Sequence, residues 1–202
     1  MPLLDKRANE YWLFHGSNSE NIPDLLQIGY DPRVSSLLGL FGGGFYLAEN
    51  SSKSNQYISC PGCGNNSRLS RIKCSCKNQD KFVFSIILYR VVLGDVHIAL
   101  RYDEEKYCGT FDRNGKQIHV RRPPVKENTR ELYDSVMGES IRNGGTHIQH
   151  REFVLYDRGQ AYPEYVIDFQ RSANNARASV DMERLHKECH HFLKHTFRST
   201  PE

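Results

Sequence analysis

The sequence predicts an α+β domain whose core is built mainly from β-strands. The chain has 202 residues, enough for one domain with a proper core and short for two. Hydrophobic residues make up 38% of it and aromatic residues 11%, which is a globular rather than a disordered composition. Runs of β-branched and aromatic residues alternate with turn signals, whereas helical periodicity is confined to short segments and the C-terminal end.

The first sixty residues predict two strands, each followed by a short helix. Residues 11–14 (YWLF) form an apolar run typical of a buried strand. Residues 21–28 predict a helix that Gly29 closes as a C-cap. Residues 41–48 (FGGGFYLA) predict a strand entered through three glycines. Residues 51–57 open a second helix, for which Ser51 and Ser52 are available as N-caps.

The rest of the chain predicts further strands and one longer helix. Residues 81–93 (KFVFSIILYRVVL) give the clearest strand signal. Residues 94–149 show weak periodicity, with a hairpin-turn signal at 112–115 (DRNG), and their length favours a functional loop region. Two strands are predicted over 152–157 and 162–169, and an amphipathic helix over 176–197.

Charge and hydropathy restrict the classes of function. The net charge of +3, with acids and bases mixed along the chain, does not indicate a nucleic-acid partner. No apolar run approaches the roughly 20 residues of a membrane helix, and residues 1–10 lack the apolar stretch of a signal peptide. We therefore expect an intracellular protein of the cytoplasm or nucleus, without a membrane partner.

Four of the six cysteines form a cluster: Cys60, Cys63, Cys74 and Cys76. Their spacing, C-x₂-C-x₁₀-C-x-C, suits tetrahedral zinc, although the C-x-C half is tighter than usual. The surrounding segment is too polar to form a core alone, so a metal would explain its folding. The sequence thus predicts a structural zinc site, with free thiols as the alternative.

Several side chains suit a ligand cleft, but each also has an ordinary structural explanation. FGGGFY is neither a dinucleotide fingerprint nor a P-loop; its glycines indicate close approach of a ligand or backbone, or a bulge. Tyr46 and Tyr57 could form a stacking slot for a flat ring, or be half-buried core tyrosines. His15 is also typical of a packing histidine, and Glu152 of a solvated carboxylate at a strand end.

The ordered set of motifs is more informative than any single residue. HGS at 15–17, GGGFYLAENSSKSNQY at 42–57, HREFVLY at 150–156 and AYPEYVI at 161–167 closely resemble the catalytic domain of the poly(ADP-ribose) polymerase family, and most of all its tankyrase branch. The resemblance covers roughly residues 11–171. It implies a diphtheria-toxin-like ADP-ribosyltransferase fold, in which two packed, mostly antiparallel sheets surround an NAD cleft.

The resemblance also implies a domain organisation. The catalytic domain would span residues 1–172, with a small zinc-binding insertion at about 58–80, and a C-terminal helical extension would span 173–202. Tankyrases carry a similar structural zinc site between the same motifs. The family normally has further strands and a helix before the HGS motif, so we expect the helix at 176–197 to cover the sheet there.

Roles for individual residues follow from the matching motifs. His15 would bond the adenine-side ribose, and Tyr46 and Tyr57 would line the nicotinamide ring. Glu152 matches the catalytic glutamate that completes the His-Tyr-Glu set with His15 and Tyr46. The resemblance implies that five further groups bind NAD or hold its adenosine half: the Gly16 backbone and the Ser54 hydroxyl at the nicotinamide amide, and Ser17, Asn18 and Asp31 at the adenosine.

The implied activity is transfer of ADP-ribose from NAD to protein acceptors, including the chain itself, with release of nicotinamide. Polymer synthesis is compatible with the His-Tyr-Glu set. The alternatives are a mono-ADP-ribosyltransferase and a toxin-like enzyme acting on protein or nucleic acid. A non-catalytic NAD or ADP-ribose binding module and a small zinc-ribbon interaction protein fit less well, because the NAD motifs are complete.

Overall fold

The computed structural model describes residues 3–31, 33–36, 39–66, 68, 74–76, 79–107, 110–111, 113–115, 117–118 and 121–171. In chain order, the α-helices and β-strands within these residues are β1 (Leu3–Asp5), β2 (Glu10–His15), α1 (Ile22–Gln27), β3 (Phe45–Ala48), α2 (Ser51–Asn55), β4 (Val83–Val92), β5 (Val96–Ala99), α3 (Glu104–Tyr107), β6 (Thr110–Phe111), β7 (Gln117–Ile118), β8 (Ser135–Gly138), β9 (Glu152–Leu155) and β10 (Ala161–Gln170). None of these helices has the length and apolar character that crossing a bilayer requires.

The main sheet consists of two half-sheets that share one point of contact. Its strand order is β10-β4-β2-β3-β9-β8-β5, and β1 pairs with β2. All neighbours are antiparallel except β5 and β8. The register between β2 and β3 holds a single pair, Phe14 with Ala48. We therefore call β10, β4, β2 and β1 the first half-sheet, and β3, β9, β8 and β5 the second half-sheet.

The two half-sheets face each other across the main hydrophobic core. Side chains of the first half-sheet, such as Leu13 and Tyr89, meet side chains of the second, such as Phe45 and Leu155. Each large apolar side chain buried in this way contributes roughly 1.5–3 kcal/mol to folding. The predicted α+β class with two packed, mostly antiparallel layers is thus present, although the layers remain joined in one sheet.

Strand β4 is apolar along most of its length because both of its faces are buried. Ile87 and Tyr89 point into the main core, whereas Phe84 and Ile86 pack on the opposite face against Ile58. A strand covered on both sides needs no polar alternation. This double burial explains why residues 81–93 gave the clearest strand signal in the sequence.

Most predicted elements are confirmed. Strands β2, β4, β9 and β10 lie where the apolar runs predicted them, and β10 is an edge strand of the sheet. Helix α1 is followed by Gly29 at φ 78°, the left-handed conformation of a C-cap glycine. The turn signal at 112–115 lies between β6 and β7, which pair antiparallel.

One expectation is incomplete and another is wrong. Among the described residues of 94–149 most lie outside helices and strands, as predicted, but β5 and β8 from this region are strands of the main sheet. The N-cap of α2 is Asn50 rather than Ser51 or Ser52: its side chain accepts a hydrogen bond from the backbone N–H of Ser52 at 3.0 Å. An asparagine oxygen satisfies this otherwise unpaired donor as well as a serine does. The helix predicted at 176–197 lies outside the described residues and stays a prediction.

Candidate active site

The point where the two half-sheets join also brings the predicted catalytic residues together. Ala48 of β3 pairs with Phe14 of β2 on one side and with Glu152 of β9 on the other. His15 therefore ends β2 two strands away from Glu152, at the same edge of the sheet. The motifs at 15–17, 42–57 and 150–156, distant in sequence, converge at this edge.

His15 is fixed by the backbone of the neighbouring strand. Its Nδ1–H donates to the carbonyl oxygen of Tyr46 at 2.8 Å, and its ring packs on Phe45 with centroids 4.4 Å apart. Because a carbonyl only accepts, Nδ1 carries the proton and Nε2 keeps a lone pair. Burial lowers the pKa of His15 to about 4. His15 is therefore neutral at physiological pH and presents Nε2 as an acceptor.

Gly16 lies directly against the backbone of α2. A Cβ atom at Gly16 would overlap the carbonyl oxygen of Ser54, so no side chain fits there without moving the helix. The buried Ser54 hydroxyl donates to the carbonyl of Phe14 at 2.9 Å. Its remaining lone pairs can accept from an amide N–H. Gly16 and Ser54, predicted to share the nicotinamide amide, are thus immediate neighbours.

Tyr46 orders the glycine-rich turn that precedes β3. Its hydroxyl donates to the carbonyl of Gly42 at 2.8 Å and accepts from the backbone N–H of Phe41 at 2.9 Å. A Cβ atom at Gly39 would overlap this hydroxyl. Burial raises the pKa of Tyr46 well above its usual value, so the phenol stays protonated. Its hydroxyl is bonded to the turn and its ring packs against the cluster that includes Phe41 and Val154, so Tyr46 is fixed in place.

Glu152 is buried and forms an ion pair with Lys53. Glu152 is the first residue of β9, and its side chain is 8% exposed. The Lys53 ammonium of α2 contacts Glu152 Oε1, and that lysine side chain is 11% exposed. The same ammonium lies 5.4 Å from the centre of the Tyr57 ring. The interpretation of Glu152 as a solvated carboxylate at a strand end is therefore wrong.

Lys53 is a site residue that sequence reasoning missed. It stands in the SSKSNQY motif between Ser52 and Ser54, and the sequence provided reason to assign roles only to the serines and the tyrosine of this motif. No local signal pairs it with Glu152, because the two residues meet through the fold. The available hint was the matched motif itself, which contains this lysine.

The residues predicted for the adenosine half have partners within the protein. Asn18 Oδ1 accepts a hydrogen bond from the Ser59 hydroxyl, and Ser17 Oγ accepts one from Asn21 Nδ2 at 3.2 Å. The Asn18–Ser59 contact ties residues after β2 to the segment leading into the cysteine cluster. Their role in binding adenosine stays a prediction.

Asp31 is paired with a neighbouring arginine. Arg33 Nη2 lies 2.6 Å from Asp31 Oδ2, and Arg33 Nε lies 3.0 Å from Oδ1. These hydrogen bonds lower the pKa of Asp31 to about 2. The carboxylate is therefore ionised at neutral pH, and a ribose hydroxyl would have to share it with Arg33.

The four clustered cysteines lie in one place. The sulfurs of Cys60, Cys63, Cys74 and Cys76 are all within 4.8 Å of one another. Tetrahedral zinc with Zn–S bonds of about 2.3 Å sets sulfurs about 3.8 Å apart, so this cluster fits the ion with little adjustment. The backbone N–H of Asn65 and the neighbouring thiols lower the pKa of Cys63 to about 7, whereas the hydrogen bond with Cys63 raises the pKa of Cys76 to about 12, so the thiols share their protons unequally.

Arg171 fastens the cysteine segment to the sheet and to α2. Its guanidinium donates to Asn55 Oδ1 at 2.7 Å and to the carbonyl of Ile58 at 3.3 Å. It also lies over the ring of Phe84, 3.8 Å from the ring centre. The C-terminal end of α2 is thus fixed between the sheet and the cysteine cluster.

A separate cavity opens where β2 and β3 part. It measures about 390 Å³ and is lined from both half-sheets, by residues that include Tyr11, Leu13, Leu93, Met137, Arg151 and Phe153. None of the predicted NAD-binding residues lines it. The predicted cleft and this cavity therefore lie at different places in the fold.

Comparison with known proteins decides the family. Residues 4–171 match the family model described as the poly(ADP-ribose) polymerase catalytic domain. The chain belongs to this family. The resemblance read from the motifs is thereby confirmed, and so is an ADP-ribosyltransferase identity at the level of the family.

Curated relatives are mono-ADP-ribosyltransferases. The chain is 27% identical to human protein mono-ADP-ribosyltransferase PARP11 over 165 residues, which is 81% of this chain and 42% of that protein. It is 25% identical to mouse protein mono-ADP-ribosyltransferase PARP12 over 169 residues, 83% of this chain and 18% of that protein. The chain thus spans less than half the length of these relatives. The tankyrase-like subtype stays a prediction.

Proposed function

We propose that this chain transfers ADP-ribose from NAD to protein acceptors, itself included, and releases nicotinamide. The observation that carries the proposal is the buried Glu152 at the edge where His15, Gly16, Tyr46 and Ser54 converge. The same arrangement supports the finer fold prediction, a diphtheria-toxin-like transferase fold around an NAD cleft. Catalytic residues 1–172 and a C-terminal extension over 173–202 remain the proposed division of the chain.

The chemistry of the site suits cleavage of the nicotinamide–ribose bond. Breaking this bond develops positive charge on the sugar, and a carboxylate held nearby stabilises that charge. Glu152 is buried, so its field is weakly screened. Gly16 and Ser54 would hold the nicotinamide amide, while Tyr46 and Tyr57 line its ring. Neutral His15 would accept a hydrogen bond from a ribose hydroxyl through Nε2.

Transfer of single units is the form that the relatives support, since PARP11 and PARP12 are named as mono-ADP-ribosyltransferases. Chain elongation is a second candidate, favoured by Glu152 and the complete His-Tyr-Glu set. Elongation needs a bound ADP-ribose acceptor in addition to NAD.

The products formed from labelled NAD test the proposal. The full chain would be incubated with NAD labelled in the adenylate part, with and without a mixture of candidate acceptor proteins. We expect labelled protein that runs as discrete bands, as single adducts would. A ladder of high mass would instead support elongation. If labelled NAD stays intact with every acceptor, or is only hydrolysed to free ADP-ribose, transfer to protein is refuted.

We also propose that Cys60, Cys63, Cys74 and Cys76 hold one structural zinc ion. Four thiolates are a complete tetrahedral ligand set, which leaves no open position for catalysis by the metal. Zinc would stabilise a polar segment and, through Arg171 and Asn55, the end of α2 that carries Lys53 and Ser54.

Metal analysis of purified chain tests the zinc proposal. We expect about one zinc per chain in the wild type, and far less in the double variant Cys60→Ser, Cys63→Ser. Cys189→Ser, which changes a cysteine outside the cluster, is the matched control and should keep its zinc. Wild-type protein purified without chelators and free of zinc would refute the site.

A further inference from the structure

A group of three charged residues lies on the opposite side of β9 from the Glu152–Lys53 ion pair. In the register of the second half-sheet, Ala48, Glu152 and Gly138 form one row across β3, β9 and β8. Glu49, Arg151 and Glu139 are the residues next to that row, just beyond the ends of the same three strands. We call these three residues the strand-end triad.

Arg151 is the centre of the triad. Its Nε lies 2.9 Å and 3.0 Å from the two carboxylate oxygens of Glu139. Its Nη1 lies 3.8 Å from Glu49 Oε2. The guanidinium thereby joins the end of β8, the start of β9 and the residue after β3.

Glu139 is held rigidly enough to act as an anchor. Its side chain is 7% exposed, and its Oε1 also accepts from the backbone N–H of Ser140 at 2.7 Å. The Arg151 hydrogen bonds lower the pKa of Glu139, so the carboxylate stays charged. A buried ion pair of this kind adds little net stability compared with apolar packing, but it fixes the geometry of the groups it joins.

Glu152 needs such an anchor because of its place in the strand. It is the first residue of β9. The residues before it follow the 3₁₀ turn Ile141–Asn143 and are not paired as a strand of the sheet. Side chains of successive strand residues point to opposite faces. Arg151 therefore fixes the backbone from one face, while Lys53 holds the Glu152 carboxylate on the other.

We propose that Arg151 is a positioning residue for Glu152, acting through its paired contact with Glu139. The inference rests on the proposed role of Glu152 in transfer. Arg151 touches no reacting atom in this account. It sets where the carboxylate sits, and a displacement of about 1 Å at such a group can cost up to 10²-fold in rate.

The test measures kcat and the KM for NAD of the full chain with labelled NAD. For Arg151→Gln we expect kcat to fall about tenfold with the KM for NAD changed less than about twofold, the pattern of an interaction that matters in the transition state. Arg151→Lys should recover part of kcat, because an ammonium keeps the charge but not the planar geometry of the guanidinium. The control Arg142→Gln changes an exposed arginine nearby and should leave both constants unchanged.

A double-variant cycle shows whether Arg151 works through Glu152. Adding Arg151→Gln to Glu152→Gln should cause no further loss of the residual rate, because the group being positioned is already gone. An equal tenfold loss in both backgrounds would contradict the inference, as would wild-type kcat in Arg151→Gln. If Arg151→Gln does not fold by circular dichroism, Arg151→Lys carries the same cycle.

The two proposals fail in different ways. Full activity of Glu152→Gln would overturn the proposed function of that residue. A strongly impaired Glu152→Gln together with an unaffected Arg151→Gln would overturn the positioning role alone. A fall in Tm of Arg151→Gln with unchanged kcat would show that the triad is purely structural.

Discussion

The NAD side of the site and the region over residues 94–149 are built in different ways. On the NAD side, short contacts between neighbouring backbones and side chains fix each group, as between His15 and Tyr46 or Ser54 and Phe14. Region 94–149 instead supplies two strands to the sheet and reaches the start of β9 through Glu139. If the NAD side holds NAD as proposed, its groups need this fixed local geometry, whereas region 94–149 contributes a connection to the start of β9.

The largest effect that would sharpen this comparison is expected at Glu152. Glu152→Gln keeps the shape of the side chain and removes its charge, so NAD affinity should persist while the transfer rate falls by about 10²–10³-fold. Binding by calorimetry and transfer by labelled NAD measure the two separately. The control Glu127→Gln alters an exposed glutamate in region 94–149 and should transfer normally. Undiminished transfer by Glu152→Gln would show that the charge of Glu152 is no more important for transfer than that of Glu127 in region 94–149.

Lys53→Met tests the ion pair at the same edge. Removing the ammonium leaves a buried carboxylate without its partner, which costs charge stabilisation and disturbs Glu152. We expect a loss of about 10–10²-fold in transfer rate. Lys81→Met changes an exposed lysine and should behave as wild type. A wild-type rate for Lys53→Met would show that Glu152 needs no counter-ion.

Gly16→Ala compares the steric demands of the two regions. The new methyl group would overlap the Ser54 carbonyl and push α2 away from β2, so we expect the KM for NAD to rise about tenfold or more. At Gly115, in the turn between β6 and β7, a Cβ would meet open space at φ 75°. Gly115→Ala should cost about 1 kcal/mol of stability from backbone strain and leave NAD binding unchanged. Equal effects of both substitutions on the KM would contradict the comparison.

The titration of His15 affects stability at acid pH, so among these changes it has the smallest effect on transfer at neutral pH. Its pKa is lowered in the folded state to about 4, against about 6.5 in the unfolded chain. The unfolded chain therefore takes up the proton first as pH falls, and stability present above about pH 6.5 is lost progressively down to about pH 4. The full loss is about 3 kcal/mol. Urea unfolding at pH 7.5 and 4.5 gives the free energy of unfolding, which should change less between the two pH values for His15→Gln than for wild type. The same change in both proteins would show that the folded state does not lower the pKa of His15.

Much of the NAD side could be predicted because its signals are local. Apolar runs identified β2, β4, β9 and β10, and the motifs identified His15, Tyr46 and Glu152 as a set. Single-residue reasoning could not do so, since it favoured a solvated Glu152, which the structure shows to be buried. The roles of these residues toward NAD remain proposals.

Strands β5 and β8 of region 94–149 could not be predicted from the sequence, for a physical reason. Strands β5 and β8 have four residues each and pair parallel, which requires a long connection between them. Neither the short strands nor the long connection produces a clear period in the sequence. The local sequence also does not predict the ion pairs Lys53–Glu152 and Arg151–Glu139. Which opposite charges pair depends on the register of the strands and on the placement of α2, and the local sequence specifies neither.

A structure of the full chain with a non-hydrolysable NAD analogue tests the central claim most directly. We expect the nicotinamide ring between Tyr46 and Tyr57, its amide at Gly16 and Ser54, and the adjoining ribose within hydrogen-bond distance of Glu152. An analogue bound instead in the cavity lined by Leu13, Met137 and Phe153, or far from Glu152, would contradict the account.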